Sequence, residues 1–168
     1  MTLASGVAEA ARLTEEQVAG FIIDATKEVF GTMVMMELED QYPLREPVTK
    51  FRCSVTGMVG LAGTYSGILS IHCPLEFALR ITSNMLGMEV EEVGEDVNDA
   101  LGEIANMLGG YVKMVLSKGG LDLHLSVPTV ISGEEYTLNA MADNDCVIIP
   151  FVNESQRFLV GLKLQKEA

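Results

Sequence analysis

A chain of 168 residues, 48% of them hydrophobic, is long enough to bury one sizeable core and does not call for a second domain. Its 24 Asp and Glu against 11 Lys and Arg give a formal charge of −13, which repels a nucleic-acid backbone or an anionic membrane surface and excludes both as partners. Residues 1–14 do not read as a secretion signal, the uncharged run Cys53–Leu75 is broken by Gly, Ser, Thr and His, and the three cysteines lack Cys-x-x-Cys spacing, so a cytoplasmic protein with free buried thiols is expected.

Thr14 followed by Gln17 makes a capping box, after which Val18, Phe21, Ile22, Ala25, Val29 and Met33 recur at helical spacing. A first long helix is predicted there, leaving residues 1–13 as room for a mobile leader. From Phe51 to Cys73 the chain is rich in Val, Ile, Thr and Tyr, with turn chemistry at Gly63 to Gly67, and reads as a β-hairpin. Pro74 suits the first turn of a short helix that runs to about Leu86 and stops at Gly87. The acidic segment Glu89 to Asp96 leads into a second long helix, Val97 to Leu116, with Asp96 as N-cap and Gly119 and Gly120 as stop. The period then changes to two, with Leu121, Leu123, Leu125 and Val127 alternating with Asp122, His124 and Ser126. Tyr136 to Met141, Cys146 to Phe151 and Phe158 to Leu164 are further strands. The expected fold is a single α+β domain of two layers, an antiparallel or mixed sheet of about six strands with long helices on one face.

On a helical wheel the second long helix places Val97, Leu101, Ile104, Leu108, Tyr111 and Val115 on one apolar stripe, which is core. Asp99, Glu103 and Asn106 share the opposite side, because spacings of three, four and seven return to one helical face. Gly102 and Gly110 stand one turn before and one turn after Asn106, and a glycine within a helix costs about 1 kcal/mol relative to alanine. Two readings of that cost stand. The glycines let a partner surface approach a docking face from which Asn106 projects, or the face is merely solvated and its glycines permit bending or helix packing. Asp24-Ala25-x-x-Glu28 in the first helix echoes Asp99-Ala100-x-x-Glu103, either as a two-fold repeat or as coincidence between two acidic helices.

Other chemistries lack their spacing. Cys73 and Arg80 are one residue too far apart for a cysteine-phosphatase loop, and Gly57, Gly60 and Gly63 form no dinucleotide fingerprint. His72 and His124 have no companion metal ligands at the usual spacing and read as structural or surface histidines. Met33, Met35 and Met36 read as filling for a core or an interface.

The run Asp99-Ala-Leu-Gly-Glu103-Ile-Ala-Asn106 resembles the Asp/Ser-x3-Glu-x2-Asn signature of the CheC, CheX and FliY phosphatase family, in particular its single-motif CheX type. Ser126-Val-Pro-Thr-Val-Ile-Ser-Gly133 and the order of elements are similar to that type over nearly the whole chain. The resemblance implies a phosphatase acting on the phospho-aspartate of a CheY-like receiver, with Asn106 positioning the attacking water and Glu103 pairing with the receiver's lysine. Asp99 is then either a substrate contact or a first-turn acid favoured by the helix dipole. A homodimer is also implied, with no cofactor of its own and a divalent metal, Mg, held by the receiver. Two-site members carry a second motif in the first helix. Here Asp24 and Glu28 are followed by Gly31 where asparagine is needed, so that site is expected to be inactive. The alternatives are a non-catalytic module that binds a phospho-receiver or a switch subunit, and a dimeric scaffold.

Overall fold

The computed structural model describes residues 13–44, 48–118, 122–138 and 146–166; the leader and the predicted stop at Gly119 and Gly120 lie outside them. Helix α1 (Glu15–Val29) starts at the capping box: the Thr14 hydroxyl accepts from the Gln17 amide at 3.1 Å, and Gln17 Oε1 accepts from the Thr14 amide at 2.8 Å. Its buried stripe is Val18, Ala19, Ile22, Ala25, Thr26 and Val29. Phe21 falls at the rim of that arc and is exposed. The helix then widens into a π turn, Phe30–Val34, which ends at Met35 in the left-handed region with φ 58° and leaves Met33 exposed.

After the short strand β1 (Glu39–Asp40) comes the predicted hairpin, β2 (Lys50–Gly63) and β3 (Tyr65–Pro74). Thr64 forms its tip. Gly63 has φ +143°, and a Cβ there would collide with the Asp122 carbonyl, so this position requires glycine. Gly67 lies inside β3 rather than in the turn. Helix α2 (Leu75–Leu86) follows Pro74 and closes at Gly87 in the left-handed region. Helix α3 (Glu95–Lys118) starts earlier than predicted, so Asp96 belongs to its first turn and is not the N-cap. The remaining strands are β4 (Leu123–Leu125), β5 (Thr129–Thr137), β6 (Cys146–Asn153) and β7 (Gln156–Lys166).

The fold is α+β, and the seven described strands pair antiparallel throughout, in the order β1-β6-β7-β3-β2-β4 with β5 also on β2. The strand predicted at Tyr136 to Met141 is instead β5, and part of the predicted span lies outside the described residues. Most of β5 is exposed, so it carries little apolar alternation, and its hydrogen bonds to β2 define it. One edge of β2 holds β5 along Lys50–Met58 and β4 along Leu61–Gly63.

Alternate residues of the long strands, among them Val59, Leu69, Ile71, Val160 and Leu162, join Ile22, Phe77, Leu101, Ile104 and Leu108 from the helices in one core. Helix α3 rests close on β2 because a Cβ at Gly57 would stand only 2.8 Å from the Leu101 carbonyl oxygen. The other sheet face carries a buried polar chain. His72 Nδ1 meets Thr56 Oγ1 at 2.9 Å, His72 Nε2 meets Ser70 Oγ at 2.8 Å, and Thr56 meets the Tyr136 hydroxyl at 2.7 Å. Burial pushes the His72 imidazole down to about 3, so it is neutral. Cys73 and Cys146 are buried free thiols, whereas Cys53, expected to be buried, is exposed. No helix among the described residues is long and apolar enough to cross a membrane.

Candidate functional site

Helix α3 packs through Val97, Leu101, Ile104, Leu108, Val112 and Leu116, with Ala100, Ala105 and Gly109 completing the buried face. Tyr111, predicted for the core stripe, is half-buried against the core, and it and Val115 line a mostly apolar cavity of about 190 Å³ between α3 and α1, with Phe21 on the other wall. The geometry that buries the apolar side turns Asp99 and Glu103 fully outward and leaves Asn106 half-buried. None of these three side chains makes a hydrogen bond or ion pair among the described residues. The face therefore offers an unpaired carboxylate and an unpaired carboxamide one turn apart. The first can meet a cation, and the second has both donors and an acceptor with which to hold a water molecule.

The two glycines predicted to border Asn106 differ from each other. Gly110 is open, with nothing within 4 Å of where a Cβ would stand. Gly102 is buried: Pro128 and Val130 of the same chain, and not a partner, cover it, at 3.5 and 3.7 Å from where a Cβ would stand. Its placement on an open docking face is corrected accordingly. Sequence reasoning also missed Gly109, where a Cβ would lie 2.6 Å from Val59 Cγ2 and 3.4 Å from Leu125 Cδ2. Gly102, Asn106 and Gly109 follow one another at four and three residues and so form a single stripe. That spacing was the signal available for finding Gly109.

In α1 the echoing residues Asp24 and Glu28 are exposed, but Gly31 falls in the π turn, and a Cβ there would meet nothing within 4 Å. Lys27 is engaged with Asp40 at 2.9 Å. Position 31 itself carries no amide to match Asn106. His72 lies on the opposite face of the sheet, and His124 is exposed beside Asp122 at 3.7 Å, so neither histidine belongs to the α3 face.

The antiparallel sheet with the helices packed on one side of it defines a two-layer α+β protein. Residues 55–152 match the family model described as chemotaxis phosphatase CheX, and the chain belongs to that family. The CheY-P phosphatase CheX of Thermotoga maritima is 32% identical over 88 residues, a match covering 52% of this chain and 57% of that protein, so the chain spans little more than half of this relative. A chemotaxis protein CheX from Desulfovibrio desulfuricans superposes with a TM-score of 0.78 at 26% identity, covering 88% of this chain and 99% of the other. A CheX–CheY–BeF3–Mg2+ complex from Borrelia burgdorferi shares the fold, with a TM-score of 0.70 at 20% identity over 89% of this chain and 98% of that one.

Proposed function

We propose that this chain is a protein phosphatase that hydrolyses the phospho-aspartate of a CheY-like receiver. The observation that carries the reading is the pair on one face of α3 of an exposed Glu103 and a half-buried Asn106, both unpaired among the described residues. In a receiver, the aspartyl phosphate is neutralised by a bound divalent metal and a lysine that the receiver itself provides. The catalyst then has to supply an in-line water and a fixed docking register. Asn106 holds that water through its carboxamide, accepting one hydrogen bond and donating another. Glu103 pairs with the lysine, and because the contact becomes desolvated it orients the two proteins more than it tightens them. Asp99, exposed one turn before Glu103, adds acidic character to the approach; because α3 starts at Glu95, Asp99 lies past the first turn and is not the first-turn acid expected from the sequence. The working unit in this reading is a homodimer, for which the largely exposed strand β5, paired only with β2 among the described strands, offers a rim.

The test is the lifetime of a receiver from the same genome, phosphorylated with acetyl phosphate in Mg2+, measured with and without substoichiometric protein. The expected result is faster decay with the wild type and a loss of about 100-fold in kcat for Asn106→Ala, the order associated with a nucleophile no longer held in place. An Asn106→Ala variant as fast as the wild type overturns the role of the amide. Binding without faster decay would favour a non-catalytic receiver-binding module.

A further inference from the structure

The segment that opens at Ser126 crosses the flank of α3 beside Asn106. Leu125, immediately before it, stands 3.4 Å from where a Cβ of Gly109 would lie, and Pro128 stands 3.5 Å from the corresponding point at Gly102. Asn106 stands between those two glycines on the same stripe, so the segment from Leu125 to Pro128 passes the amide at its own level along the helix. Ser126 fixes that crossing. Its amide donates to the Gly60 carbonyl at 2.9 Å, and its hydroxyl accepts from the Gly60 amide at 2.7 Å and donates to the Val127 carbonyl at 3.1 Å. Val127, between these anchors, is 85% exposed, the most open of the large apolar side chains described. A lone exposed valine is ordinary on a protein surface. This one follows the fastened Ser126, on a segment that lies against the glycines flanking an unpaired, half-buried amide.

We propose that Val127 is an apolar contact for the receiver, forming with Glu103 the two walls between which Asn106 reaches the phosphoryl group. The proposal rests on the phosphatase reading for its partner. The surface it fits carries a cation on the Glu103 side and an apolar side chain or methylene stem on the Val127 side, next to the phospho-aspartate. Continuity with the α3 face argues for that occupant: the segment that carries Val127 lies against the two glycines that flank Asn106 on the helix. A β-branched side chain also has little rotamer freedom to lose on contact. Ser126 is a positioning residue, acting through the loop.

The test measures KM and kcat for phospho-receiver decay, together with the Kd for a receiver loaded with BeF3 and Mg2+ in place of the phosphoryl group. Val127→Asp is expected to raise KM and Kd by about tenfold and Val127→Ala by about threefold, with kcat within about twofold of the wild type. Ser126→Ala is expected to raise KM in the same direction, and the urea midpoint of Val127→Asp to equal that of the wild type. Unchanged KM and Kd in Val127→Asp, with an active wild type, overturn the wall and leave the phosphatase reading standing. A wild type that binds the loaded receiver without accelerating decay, and whose Val127→Asp variant loses binding, supports the wall and overturns the phosphatase reading. A wild type that neither binds nor accelerates overturns both.

Discussion

Three glycines on α3 lie in different surroundings, and alanine reads each one differently. At Gly109 the new methyl would press on Val59, whose branched side chain has few alternative rotamers, so Gly109→Ala is expected to cost about 1–3 kcal/mol. At Gly102 the methyl meets Pro128 and Val130 at ordinary contact distance, and at Gly110 it meets nothing. Both of those substitutions should leave stability unchanged or raise it by up to about 1 kcal/mol through helix propensity. Urea unfolding of the three variants checks the order. Glu103 is fully outward, so Glu103→Lys is expected to leave the fold intact and raise KM for a phospho-receiver by about tenfold, through repulsion of the receiver's lysine. At this scale the sequence was informative about the exposure of Glu103, which stands opposite a clean apolar stripe, and less so about Asn106, which is half-buried on one stripe with the buried Gly102 and Gly109. It was silent on whether a glycine's empty side is filled by solvent or by another part of the chain, as Gly102 shows, since that depends on contacts more than twenty positions away.

Among the elements, the helices and the β2–β3 hairpin were legible because capping, period and turn residues agreed: the Thr14–Gln17 box and the Gly87 stop lie where the pattern put them. Strand β5 was not, for want of a buried face to impose alternation. The π turn after α1 was equally hidden, since a change from α to π spacing leaves no mark in composition. It bears on the silent echo in α1. Because Gly31 sits in the π turn, a side chain there is rotated away from the relation that Asn106 has to Glu103. Gly31→Asn in an Asn106→Ala background is therefore expected to remain as inactive as Asn106→Ala alone. Recovered phosphatase activity would show instead that the two helices are equivalent.

For the molecule as a whole, acid should act through His72, which binds β2, β3 and β5 together by way of Thr56, Ser70 and Tyr136. Its imidazole titrates at about 3 when folded, against 6.5 ordinarily, so between those values the unfolded chain takes up a proton that the native one refuses. The contribution is intact above pH 6.5 and is lost as pH falls toward 3, at a limiting rate of about 1.4 kcal/mol per pH unit. Urea unfolding at pH 7.5, 6 and 5 should show a steeper decline for the wild type than for His72→Gln. The two-layer α+β architecture was readable from periodicity, whereas the polar chain behind the sheet depends on register between distant strands, which no local pattern encodes. The double fastening of Ser126 to Gly60 has a consequence for encounter with any partner. The loop is already ordered before binding, so association sacrifices little conformational entropy there and proceeds close to lock-and-key. Hydrogen exchange at the Ser126 amide should accordingly be slow in the free chain and change little when a receiver arrives.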